Sequence, residues 1–108
     1  MDEALAERVR EVVAGEPGLT EKRMFGGLGF LVSGNLAVSA SSRGGLLVRI
    51  DPQQADELTA HPHVRRFEMR GREMNGWLHV DDQAVVEPDE LEQWVDVGIR
   101  YARSLPPK

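Results

Sequence analysis

The sequence predicts an α+β domain in which helices near the two ends of the chain pack on an antiparallel sheet built from its middle. Apolar residues recur at helical spacing in the first and last segments and at a spacing of two between them. Length supports the same reading, because 108 residues hold enough apolar material for one core and not two.

From Asp2 to Ala14, Leu5, Val9, Val12 and Val13 fall on one helical stripe, and Gly15 is placed to end the helix. Glu16-Pro17-Gly18 then reads as a turn, with Pro setting φ and Gly accepting positive φ. Between Leu19 and Ile50 the period changes to two: Leu28, Phe30 and Val32, then Leu36 and Val38, then Leu46, Val48 and Ile50. Ser33-Gly34-Asn35 and Ser41-Ser42-Arg43-Gly44-Gly45 supply hairpin-turn chemistry between these runs, so the strands form a meander. Asp51-Pro52-Gln53-Gln54 opens a short central helix to about Ala60, with Asp51 as the cap and Pro52 at the first helical position. Val64, Phe67 and Met69 mark a further extended segment, and Trp77, Leu78 and Val80 a last strand, for five to six strands in all. After Pro88, one helical face collects Leu91, Trp94, Val95, Gly98, Tyr101, Ala102 and Leu105 before Pro106-Pro107 ends the helix.

Composition narrows the function classes. Cys is absent, which removes disulfides, thiolate metal sites and cysteine nucleophiles and fits a cytoplasmic chain. The acidic N-terminus lacks the apolar run of a signal peptide, and no stretch approaches the roughly 18 residues of a membrane span. A net charge of −5 argues against broad capture of nucleic acid. The charge is unevenly spread: residues 20–72 carry 5 acidic and 8 basic groups, whereas residues 73–100 carry 8 and 1.

No catalytic constellation emerges from the residues. His61 and His63 offer two metal ligands with no third specified nearby, so neither a metal nor another cofactor is expected. His79 reads as a sheet histidine with a hydrogen-bond partner. Ser39, Ser41 and Ser42 lie by a turn and in no nucleophile elbow, and Asp81 and Asp82 read as solvated loop acids. Gly26, Gly27 and Gly29 run into a strand instead of a helix, so close backbone packing or a bulge explains them better than a phosphate loop does.

Several segments together resemble a known family: Lys22-Arg23-Met24-Phe25-Gly26-Gly27-Leu28-Gly29-Phe30, Gly34-Asn35, Leu47-Val48-Arg49, Gly71-Arg72-Glu73-Met74-Asn75-Gly76-Trp77, and Tyr101 to Lys108. In order and spacing they are similar to the TfoX N-terminal domain family. The resemblance implies an α+β domain with helices against an antiparallel sheet, and it names no enzyme. Longer bacterial relatives join such a domain to a helical C-terminal one and regulate competence genes by assisting transcription. This chain is expected to stand without that second domain, since it ends at Pro106-Pro107-Lys108.

Two kinds of function follow as expectations. One is a regulatory or protein-interaction module, open to homodimerisation, whose contact surface involves Arg23, Met24, Phe25, Gly26 and Gly27 together with Arg72, Met74, Gly76 and Trp77. These are residue types enriched at interface centres, beside flexible glycines. The other is an anionic-ligand domain or small enzyme using Arg23, Arg49 and Arg72 as a clamp. Nucleic-acid contact through Arg65, Arg66, Arg70 and Arg72 is a weaker third.

Overall fold

The computed structural model describes residues 3–24 and 27–108. Its elements are α1 (Glu3–Val12), β1 (Leu19–Met24), β2 (Gly27–Val32), β3 (Asn35–Ala40), β4 (Leu46–Arg49), α2 (Ala55–Leu58), β5 (Val64–Met69), β6 (Arg72–Val80) and α3 (Pro88–Ser104), with 3-10 turns at Pro52–Gln54 and Asp82–Ala84. The six strands form one antiparallel sheet in the order β1-β2-β3-β4-β6-β5. The α+β class is as the sequence predicts. The meander holds through β4; the chain then passes through the short α2 to the outer edge, and β6 returns between β4 and β5.

The helices cover one face of the sheet. Across it run Phe30, Val38, Val48 and Leu78 in one row of register and Leu28, Ala40, Leu46 and Val80 in the next. Leu91, Trp94, Val95, Ile99 and Ala102 of α3 and Leu5, Val9 and Val13 from the first helical segment close over these rows. Gly98 is where α3 comes nearest the sheet: a Cβ there would overlap the Ala37 carbonyl and lie 2.7 Å from Val38 Cγ1. Among the described residues no helix is long and apolar enough to cross a membrane.

Three local expectations are corrected. β1 reads LTEKRM and is a full strand, yet as an edge strand it is exposed along most of its length and shows no apolar alternation. Leu36 and Val38 do not share a face: Phe30 pairs with Val38 but Leu31 with Leu36, so Ala37 is the extra residue of a bulge. Leu36 is thereby turned to the side of Gly29, whose Cβ would lie 2.8 Å from Leu36 Cδ1. Val12, placed on the buried stripe by its spacing, is 37% exposed, because the stripe closes on Leu5, Ala6, Val9 and Val13 instead. At α3 the buried face takes Ile99, which the sequence reading omitted, while Tyr101 and Leu105 are half-buried.

Arg10 ties α1 to the exposed edge strand, its Nε 2.7 Å and Nη2 2.9 Å from the two oxygens of Glu21. This hydrogen-bonded pairing holds the Glu21 carboxyl below its ordinary value of 4.5. A carboxyl with a depressed folded-state pKa contributes stability above its unfolded value and loses that contribution as pH falls through it. Glu21→Gln should therefore lower the urea midpoint slightly at neutral pH, and the difference from wild type should vanish well below pH 4.5. An offset that persists in acid would assign the effect to something other than the ion pair.

Candidate functional site

Register places the two segments singled out from sequence far apart. Met24 pairs with Gly27, Ala40 with Leu46 and Leu46 with Val80, so the C-terminal end of β1 lies at the same end of the sheet as the C-terminal end of β6. Arg72, Met74, Gly76 and Trp77 belong to the N-terminal part of β6, at the other end. β2, β3 and β4 also intervene, roughly 19 Å of sheet at about 4.8 Å per strand step. Arg23, Met24 and Gly27 thus do not share a cleft with the Arg72 to Trp77 segment, and Phe25 and Gly26 lie outside the described residues. Gly27 and Gly29 do serve close packing: a Cβ on Gly27 would overlap the Ala40 carbonyl, and one on Gly29 would lie 3.0 Å from Met24 Sδ.

The arginines separate in the same way. Arg23 and Arg72 are exposed at opposite ends, and only Arg49 is held in a defined setting. Arg49 pairs with Trp77 across β4 and β6, and its Cζ lies 5.6 Å from the Trp77 ring and 5.8 Å from that of Tyr101 on α3. Of the basic residues considered for nucleic acid, Arg65 binds Asp81 Oδ1 at 3.0 Å and Arg66 pairs with Asp56. Arg70 and Arg72 remain exposed around the tight β5–β6 turn, where Arg70 has φ 56° and Gly71 φ 77°.

Between β5 and β6 the register passes from Arg66↔Leu78 directly to Glu68↔Glu73. Four β6 residues, Met74 to Trp77, therefore stand against Phe67 alone. The excess explains why Met74 is exposed, and Gly76 takes φ 90° while its carbonyl accepts from the Ile50 N–H.

His79, Asp81 and Asp82 form a structural cluster at the opposite end of the sheet. His79 Nε2 lies 3.0 Å from the Gly44 carbonyl, and Asp82 Oδ1 accepts the Gly45 N–H at 2.9 Å. His79 Nδ1 is 3.0 Å from Asp81 Oδ1 but out of line for a hydrogen bond, so the two side chains are in contact only. Asp82 thus holds the β3–β4 turn and Asp81 pairs with Arg65, so neither is merely a solvated acid. Sequence offered no signal for this, because the partners lie 35 and 37 positions apart.

Two concave surfaces open on the helix layer. One, of about 260 Å³, lies by Leu58, His61, Pro62 and Trp94, where the His61 ring meets Trp94 edge-on at 5.4 Å. Among the described residues no group of three or more His, Asp or Glu side chains could hold a metal ion. The other, of about 480 Å³, is the groove between the C-terminal end of α1 and the first three turns of α3. Val12, Val13, Val95 and Ile99 line it, Val12 alone of these being exposed, and Glu16, Asp89, Glu92 and Asp96 form its rim. Asp89, Glu92 and Asp96 fall at i, i+3 and i+7, so one side of α3 presents a row of carboxylates along the opening. Arg103 reaches Glu16 and Arg100 reaches Asp96, while Asp89 and Glu92 have no ion-pair partner among the described residues. The exposed Val12 that broke the buried stripe is part of this groove.

No curated protein matches the chain. A family comparison does: residues 11–102 match the TfoX N-terminal domain, a span that takes in the whole sheet, the groove and the Arg49 corner. The chain belongs to the TfoX N-terminal domain family.

Proposed function

We propose that this chain is a non-enzymatic, cytoplasmic protein-interaction module with a regulatory role, and that it receives its partner in the groove between α1 and α3. The observation that carries the reading is the acid-rimmed groove itself, with Val12 open on its wall. Its apolar surface includes a valine left 37% exposed, and its rim holds four carboxylates. Large apolar side chains left uncovered inside a concavity are a common feature of contact surfaces. The complementary partner is an amphipathic helix with an apolar stripe and flanking Lys or Arg, which would lie between α1 and α3 as a third helix. Electrostatic attraction would speed its docking and set its orientation, while the apolar stripe would supply most of the affinity.

None of the surface residues expected from sequence lines this groove. Arg23 and Met24 lie on a charged edge strand, and Trp77 belongs to the Arg49 corner taken up below. A homodimer through the groove would set acidic rim against acidic rim across a twofold axis, so a second copy is the less favoured occupant.

A fluorescein-labelled Leu/Lys amphipathic helix should bind saturably in fluorescence anisotropy. Val12→Asp, at an exposed position, or the pair Asp89→Lys and Glu92→Lys should weaken it by about tenfold or more. Binding unchanged in both variants would remove the groove as the docking face. A dimer in light scattering, abolished by Val12→Asp, would replace the foreign helix with a second copy.

A further inference from the structure

We infer that Arg49, Trp77 and Tyr101 form a binding site for the oxyanion of a small organic ligand, a carboxylate or a phosphate, at the end of the sheet away from the β3–β4 turn. The inference does not rest on the groove reading.

Four arginines are half-buried among the described residues: Arg8, Arg10, Arg49 and Arg66. Three of them have oxygen acceptors. Arg8 donates to the carbonyls of Val85 and Val86, Arg10 to Glu21, and Arg66 to Asp56. Arg49 has none, and what faces its guanidinium is the ring of Trp77 and the ring of Tyr101. Aromatic faces stabilise the charge of a guanidinium but accept none of its in-plane N–H bonds, so the donor fork stays unspent. Among the described residues the indole N–H of Trp77 and the hydroxyl of Tyr101 likewise have no hydrogen-bond partner, and both rings are only half-buried. The nearest acid in sequence, Asp51, uses Oδ1 to accept the Gln53 N–H at 2.9 Å.

The corner therefore gathers a permanent cation and further donors with no carboxylate among the described residues to neutralise them. Planar, bidentate donation is the geometry in which a guanidinium recognises carboxylate and phosphate. The position is also supported from three sides. Arg49 ends β4, Trp77 is its register partner on β6, and Tyr101 comes from α3, whose close approach at Gly98 sets the helix on the sheet. Two half-buried rings beside the cation would hold an apolar or aromatic ligand body, which favours an organic anion over a bare inorganic one.

The test is two-dimensional amide NMR of the full chain titrated separately with benzoate, phenyl phosphate and inorganic phosphate. The Trp77 indole N–H and the Arg49 Nε–H should shift saturably, with the Trp94 indole as an unmoved internal control. Benzoate saturating alone identifies a carboxylate ligand, and phenyl phosphate alone a phosphate ester; both outcomes support the site. Arg49→Gln should abolish the shift, and Arg49→Lys, which keeps the charge and loses the fork, should weaken it by about tenfold. The lysine variant keeps the test open if the glutamine variant does not fold. The inference is overturned if none of the three anions saturates below about 20 mM, an affinity weaker than a single charge-assisted contact would give. It is equally overturned if Arg49→Lys binds as wild type does, or if the Trp94 indole shifts in parallel.

Discussion

Truncation of Phe30 to Ala should destabilise the chain by about 3–5 kcal/mol, the usual cost of removing a fully buried aromatic ring. Phe30 has 0% exposure and stands in the row of Val38, Val48 and Leu78 over which α3 closes. Part of the cost is lost transfer free energy and part is the void, because the backbone on both sides is tied into ladders and cannot collapse inward. Domains of this size have total stabilities of about 5–15 kcal/mol, so the variant should be close to unfolding at physiological temperature. Urea unfolding followed by circular dichroism checks this. A loss under about 1 kcal/mol would mean that the contact between sheet and helix is not the centre of the core.

Gly98→Ala should also destabilise, by about 1–3 kcal/mol, although alanine in a helix interior ordinarily gains about 1 kcal/mol over glycine. The sign reverses because the added Cβ would run into the Ala37 carbonyl and approach Val38 Cγ1 to 2.7 Å, and backbone of a central strand does not yield. α3 would have to lift from the sheet at the turn that precedes Tyr101, so the stacking of Arg49 should loosen together with the fall in melting temperature. A stabilised Gly98→Ala protein would show that the helix can rise without cost, and the preorganisation argued for the Arg49 corner would fail with it. Glycine at this position is thus part of how the helix layer is set against the sheet.

The family was legible in the chain because its motifs are local and ordered, and the matched span of residues 11–102 includes those from Lys22 to Trp77. The relative placement of the two glycine-flanked segments was not. Arg23 and Arg72 look alike in sequence, each in a segment with glycines and large apolar residues, yet they belong to strands whose facing ends are opposite. Strand order is decided by which apolar faces can be buried together, and the insertion of β6 between β4 and β5 has no local signature. That insertion is what brings Trp77 beside Arg49.

By itself the sequence determined the helices, five extended apolar runs, the turns between them and the α+β class, because these follow from periodicity and from the conformational preferences of Gly, Pro, Asn and Asp over a few residues. Only the tertiary structure decided that LTEKRM is a strand, since an edge exposed on both faces needs no apolar alternation. It alone decided that the Ala37 bulge turns Leu36 away from Val38, that Val12 stays open in an acid-rimmed groove, and that Arg49 faces two aromatic rings. Each of these depends on a partner distant in the chain, and burial, charge pairing and register become definite only when the distant segments meet.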